Sequence, residues 1–218
     1  MKFYTFSKTI LILIVPFLIF LGAANMAAFD KPYYTNKLSE YKISVPDANY
    51  VNEKTVDFIS GKNDKLPDIY NEREKQHLLD VRNAVKAFKI VLYSLIAIFI
   101  SLFFISSLTA KANLNNFTGG IFAYGGLLTI TLAALLFLLI SLNFSSAFDS
   151  FHALFFRQGT YTFDPAKDII VNLYPEELFM DLGLMISKRA MLVSTVMLTI
   201  GVFLTAKTKT KRMTSSET

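Results

Sequence analysis

The sequence predicts an α-helical integral membrane protein: four transmembrane helices carrying a small extracytoplasmic cap that contains β-strands. Three observations lead there. Of 218 residues, 53% are hydrophobic and the mean hydropathy is +0.42, above the usual globular range. The stretches 9–29, 90–110, 112–148 and 190–206 hold no Asp, Glu, Lys or Arg, although such residues make up 18% of the chain. Cysteine is absent, which excludes a thiol nucleophile, a thiolate zinc site, an iron–sulfur cluster and any disulfide framework.

A helix needs roughly 20 apolar residues to cross about 30 Å of hydrocarbon. On that measure the chain is a single membrane domain with spans at about 9–29, 87–110, 119–143 and 182–206, the cap being formed by 30–86 and 149–181. The first span has two readings. Lys2 and Lys8 ahead of Ile10 to Leu21 and Gly22-Ala23-Ala24 have the form of a signal peptide with a cleavage site, while continuation through Ala27, Ala28 and Phe29 favours an uncleaved anchor. Asn113, Asn115, Asn116, Thr118, Gly119 and Gly120 mark a turn after Ala110 and divide the longest uncharged stretch.

Short loops rich in Lys and Arg stay in the cytoplasm. Lys2 and Lys8, Lys111, and the tail residues Lys207, Lys209, Lys211 and Arg212 therefore place both termini on the cytoplasmic side of the cell membrane and residues 30–89 and 149–189 at the outer face. Lys188 and Arg189 run against that rule. The net charge of +5 thus belongs to membrane-adjacent ends, and no nucleic-acid partner is expected.

Within the cap, Tyr41–Val45 before Pro46 and Thr55–Ser60 before Gly61 alternate like strands. From Glu72 the period becomes helical: His77, Val81, Ala84, Val85 and Phe88 share one face that leads into span two. Phe148, Phe151, His152, Phe155 and Phe156 form a second helical stripe after span three. Residues 159–163 alternate again, and Pro175-Glu176-Glu177 suits a helix start.

The chain has two histidines, and both fall at the predicted outer mouth on separate helices. Glu74, His77 and Asp80 recur at i, i+3 and i+6, so a carboxylate there either orients the ring or simply lies on a solvated face. Asp149 stands in the same relation to His152. Arg82 and Arg157 are candidates for contact with phosphate, peptide carbonyl or oxyanion, Arg157 more simply with a lipid headgroup. Phe155 and Phe156 pack helices, face lipid, or wall a pocket.

Two motifs in order, His77-Leu78-Leu79-Asp80-Val81-Arg82 and Phe151-His152-Ala153-Leu154-Phe155-Phe156, resemble the signatures of the bacterial lipoprotein intramolecular transacylases. Tyr161-Thr162-Phe163-Asp164-Pro165, Asp168-Ile169-Ile170 and Pro175 continue the second signature. Tyr161 stands where that family usually has tryptophan, and Leu178-Phe179 where it has paired phenylalanines. The resemblance implies an outer-leaflet acyltransferase that moves the sn-2 acyl chain of a diacylglyceryl group to the α-amino group of a lipoprotein's N-terminal cysteine, giving a lyso-form lipoprotein. It implies His77 and His152 as catalytic residues, and Phe151, Phe155, Phe156 and Tyr161 as substrate-contacting. The implied partners are the diacylglyceryl-modified lipoprotein and the bilayer, with no cofactor and no metal.

The chemistry fits that inventory. An α-amino group with a pKa near 8 is about one-tenth neutral at pH 7, so a base is needed, and positioned acid–base help is typically worth about a hundred- to ten-thousandfold. Attack within one molecule gains from effective molarities of about 10⁵–10⁸ M and needs no covalent intermediate, consistent with a chain that lacks cysteine and a Gly-x-Ser-x-Gly elbow. One histidine would take the amine proton while the other protonates the leaving oxygen or binds the oxyanion; the sequence leaves the order open. A metal-dependent membrane hydrolase is disfavoured by the lack of a His-Glu-x-x-His motif. A small transporter or channel subunit is disfavoured by spans without ionisable residues.

Overall fold

The computed structural model describes residues 2–110, 114–156 and 160–214; Arg157 lies outside them. Among these residues the regular structure is helical throughout: α1 Lys2–Ala28, α2 Lys31–Glu40, α3 Ala48–Ser60, α4 Glu72–Ala110, α5 Leu114–Leu142, α6 Phe144–Phe155, α7 Ile169–Leu173 and α8 Glu176–Thr214. Four helices, α1, α4, α5 and α8, are long and apolar enough to cross a membrane, as the uncharged stretches required. At 39 residues α4 exceeds the bilayer's need. Its charge-free part begins at Ile90, and its first turns, 72–89, carry Glu72, Arg73, Glu74, Lys75, Asp80, Arg82, Lys86 and Lys89 outside the apolar span.

The expected strands are absent among the described residues. Thr55–Ser60 lies inside α3, whose buried side chains, Val51, Asn52, Thr55, Val56 and Phe58, follow the helical period. A six-residue window rich in β-branched side chains shows alternation, whereas the full thirteen residues show a 3.6 repeat, and packing favours the longer pattern. Gly61 at φ 87° then closes α3, its own N–H donating to the carbonyls of Asp57 and Phe58. Tyr41–Val45 is irregular: Tyr41 caps α2 and Lys42 is left-handed at φ 51°. Val45 is buried in the core with no neighbouring strand. Residues 160–163 form no strand either.

The chain divides into two compact units. One comprises the residues up to Ala23, Val91–Phe137 and those from Ile186 onward. Leu11, Val15, Phe117 and Ile121 form its core, and its backbones approach closely at glycines. A Cβ on Gly201 would collide with the Ala123 backbone nitrogen, and one on Gly126 would stand 2.8 Å from the Ser194 carbonyl oxygen. Such contacts are how helices associate where lipid is as apolar as leucine and burial of apolar surface gives no net drive. Ser106 Oγ donates to Ser7 Oγ at 2.8 Å, and Ser7 Oγ donates to the Tyr4 carbonyl, so these buried hydroxyls are satisfied within the unit.

The other unit, Ala24–Ile90 and Leu138–Met185, holds both histidines. Its core is Leu38, Val45, Val51, Phe58, Tyr70, Leu78, Ile170 and Leu173. Polar ties pin that core: Thr55 Oγ1 donates to the Val51 carbonyl at 2.8 Å and pairs with the Tyr70 hydroxyl at 2.9 Å, and the Tyr174 hydroxyl donates to Asn52 Oδ1 at 3.1 Å. The first turns of α8 are tied to α2, because Asp181 receives Lys37 Nζ at 2.6 Å and the Tyr41 hydroxyl at 2.5 Å.

Candidate active site

The site is built outward from the start of α4. Asn71 Oδ1 accepts the Glu74 N–H at 3.0 Å while Glu74 Oε2 accepts the Asn71 N–H at 2.7 Å, a reciprocal cap that satisfies two otherwise orphaned donors. The remaining Glu74 oxygen accepts the Ile170 N–H at 2.7 Å, at the first residue of α7. Glu74 is 1% exposed, so it is fully engaged in joining α4 to α7 and is not the ring-orienting carboxylate its spacing offered.

Asp168, 2% exposed, completes this clamp. It accepts the Asp164 N–H at 2.7 Å, the Asn71 side-chain amide at 2.9 Å and Arg73 Nη2 at 2.5 Å. Those donors, the Asp164 N–H foremost, hold its carboxyl below the usual carboxylate range. The Arg73 guanidinium also lies 5.0 Å over the Phe163 ring. The segment 160–168 is thereby fixed against α4, with Phe163 and Tyr161 beside the histidines.

His77 and His152 come from α4 and α6, and their rings stack at 6.2 Å with planes 27° apart. Phe156 packs on both, 5.1 Å from His77 and 5.5 Å from His152. Phe163 lies 5.3 Å from His77, while Phe148, Phe151 and Tyr161 lie 4.1, 5.7 and 5.2 Å from His152. Phe155 packs on Phe151 and Phe88 rather than on a histidine. The helical stripe in the sequence brought these rings together because positions three and four apart share a helix face.

The two rings are held differently. His152 Nδ1 lies 2.8 Å from the Phe148 carbonyl oxygen, one turn back in α6. A carbonyl only accepts, so Nδ1 carries the proton and Nε2 keeps the lone pair of the neutral ring. Asp149, exposed, is not the group that fixes this ring. His77 is 6% exposed, and its Nδ1 is buried with no hydrogen-bond partner among the described residues. Burial, and next the neighbouring His152, push its pKa down to about 4 against an opposing pull from Asp80, so it is neutral at physiological pH.

Of the other predicted residues, Asp80 lines a groove of about 240 Å³ with Asn83, Ala84, Phe155 and Phe156. Arg82 turns away to the 61–66 loop: its Nη2 donates to Asp64 at 2.7 Å and its guanidinium lies 4.8 Å over the Phe58 ring. The structure adds Asn71, Arg73, Phe148, Phe163 and Asp168 to the constellation. The Asn71-x-x-Glu74 spacing before a helix is a readable cap signal; nothing local in the sequence connects Asp168 to α4. Among the described residues no three His, Asp or Glu side chains converge as a metal ion would require.

Fold and site together define a multi-pass membrane enzyme with an aromatic-walled histidine pair. More particularly, the chain belongs to the lipoprotein intramolecular transacylase family: the profile described as "Lipoprotein intramolecular transacylase Lit" matches residues 9–179. Among solved structures, it is similar to the membrane-integral lipoprotein intramolecular transacylase Lit from Bacillus cereus, at 26% identity and a TM-score of 0.79 over 96% of this chain and 98% of that one. Two further structures of the Bacillus cereus protein carry a histidine replaced by arginine or by alanine. Both are 24% identical with TM-scores of 0.76, covering 97% and 96% of this chain and 94% and 96% of theirs, and they speak to the fold. No curated protein sequence matches the chain. The protein is accordingly an acyltransferase of a family that acts on lipoproteins in the membrane.

Proposed function

We propose that the enzyme transfers the sn-2 acyl chain of a diacylglyceryl-modified lipoprotein to the α-amino group of the same N-terminal cysteine, leaving a lyso-form lipoprotein. The observation that carries this reading is the stacked pair itself: the two histidines of the chain meet at 6.2 Å from separate helices. His152 is the base. Its Nδ1–H is committed to the Phe148 carbonyl, which leaves Nε2 to take a proton from the amine as nitrogen attacks the ester carbon. His77, neutral and with Nδ1 unpartnered, offers a hydrogen bond to the tetrahedral oxyanion. When the intermediate collapses, the C–O bond to the glyceryl carbon's oxygen breaks, and that oxygen receives the proton from His152 Nε2. One proton is moved and returned, and the amide and free hydroxyl balance the ester and amine consumed.

Both termini face the cytoplasm and the histidines face outward, as the distribution of Lys2, Lys8, Lys111, Lys207, Lys209, Lys211 and Arg212 favours. Because the chain has no cysteine, single cysteines introduced at Asn63 and near the C-terminus can be labelled with a membrane-impermeant thiol reagent in whole cells. Only the first should react. The reaction is tested by supplying the purified enzyme with a diacylglyceryl lipopeptide whose sn-2 chain alone is isotopically labelled. Mass spectrometry should find the label on the α-nitrogen. Label lost as free fatty acid would show a hydrolase instead.

A further inference from the structure

The groove beside the histidine pair has an unused carboxylate. His77, Asp80 and Ala84 recur at i, i+3 and i+7 on α4, so Asp80 lies about one turn, roughly 4.5 Å along the axis, from His77 on the same face. Asn83 flanks it, and Phe155 and Phe156 form the opposite wall of the groove. Phe156 also packs on both histidine rings, so the groove opens directly beside them. Among the described residues no cation pairs with Asp80, whose one hydrogen bond, from Gln76 Nε2, is long at 3.4 Å. Nearby acids are otherwise engaged: Asp64 with Arg82, Glu72 with Lys75, Asp168 with Arg73, and Glu74 with backbone N–H groups. A half-buried carboxylate against two phenylalanines, with no cation among the described residues, suits a cationic ligand.

At about 240 Å³ the groove is smaller than the roughly 300 Å³ at which pockets for whole small molecules begin. Its polar side chains, Asp80 and Asn83, stand opposite two phenylalanines and suit a small polar group rather than a bare acyl chain. We propose that Asp80 is the binding residue for the substrate's α-amino group, with the Asn83 side-chain amide donating to the carbonyl of the first peptide bond. This rests on the transacylase reading and deepens it: the site selects lipoproteins with a free N-terminal amine and holds that nitrogen one turn from the histidines. A carboxylate accepts an N–H from the ammonium and from the neutral amine alike, so the contact persists after deprotonation and leaves the nitrogen lone pair free to attack.

The test measures binding, without turnover, to the intact protein in lipid nanodiscs. Two probes carry ether links in place of the glyceryl esters; one has a free α-amine and the other is N-acetylated. Wild type should prefer the free-amine probe by about tenfold, the usual worth of a hydrogen bond to a charged group. In Asp80→Asn the preference should fall below about twofold while the acetylated probe binds as it does to wild type; Asp80→Glu should restore a substantial part. An undiminished preference in Asp80→Asn, or equal affinity of wild type for both probes, overturns this assignment alone. Binding of neither probe to wild type overturns the substrate reading and this inference with it.

Discussion

In the unit that contains residues 91–137, helices meet backbone to backbone at Gly201 and Gly126, and two buried serines satisfy each other. In the unit that contains the histidines, buried carboxylates, Glu74 and Asp168, draw separate segments together through backbone N–H groups and an arginine. The contrast follows from solvent. Lipid offers no competing hydrogen bonds and no hydrophobic drive, so steric fit decides; the histidine unit has an apolar core and can carry buried charge provided every lone pair is met. What this teaches is where rigidity near the chemistry originates. The clamp, together with the packing of Phe163 on the core, holds Phe163 and Tyr161 beside the rings.

The sharpest way to break the comparison is Gly201→Leu. The nearest atom to an added Cβ is a backbone nitrogen, which cannot move aside, so the substitution should cost about 3 kcal/mol and lower the thermal transition in detergent by roughly 6–12 degrees. Gly22→Ala is its control, having no atom within 4 Å of a new Cβ, and should leave the transition unchanged. On the other side, Glu74→Gln turns one of two acceptors into a donor that faces an N–H, at a cost of about 1–3 kcal/mol. Its effect should extend beyond stability: turnover should fall as Phe163 and Tyr161 loosen, whereas Gly201→Leu protein that remains folded keeps its rate.

Proton linkage separates the units without mutation. His77 has a folded-state pKa of about 4 against an ordinary 6.5. Below pH 6.5 the unfolded chain gains a proton that the folded one refuses, so stability is full above that value and declines as pH drops toward 4, by about 3 kcal/mol. His77→Gln should flatten this decline; a profile unchanged by the substitution would remove the buried neutral histidine from the account. The smallest effect is expected from Arg82→Ala. Its partner Asp64 is 88% exposed, so the pair contributes at most about 1 kcal/mol, and the guanidinium over Phe58 adds about 0.5–1 kcal/mol; the transition should fall by a few degrees and the rate should barely move.

Much of this was legible in the residues. Uncharged stretches foretold the four long helices, since charge exclusion is a property of composition and needs no knowledge of packing. The helical stripe of His152 foretold its aromatic wall, because faces follow from local period, whereas the rings on His77, Phe156 and Phe163, come from segments distant in sequence. What was not legible is what depends on partners distant in sequence. Glu74 looked like a ring-orienting acid by spacing, yet its oxygens go to the N–H groups of Asn71 and Ile170. Asp168 gave no sign of its bonds to Asn71 and Arg73. Thr55–Ser60 read as a strand because polar and apolar residues alternate over Thr55-Val56-Asp57-Phe58, while the burial that makes α3 a helix comes from Val51 and Phe58 against the common core.

The central claim is that the histidine pair moves the proton. The direct measurement is the single-turnover rate of amide formation in His152→Asn and His77→Asn enzymes that still bind the unreactive ether probe. Retained binding with rates at least about a hundredfold below wild type, the larger loss in His152→Asn, is the predicted result; a rate within a few-fold of wild type in His152→Asn would contradict it.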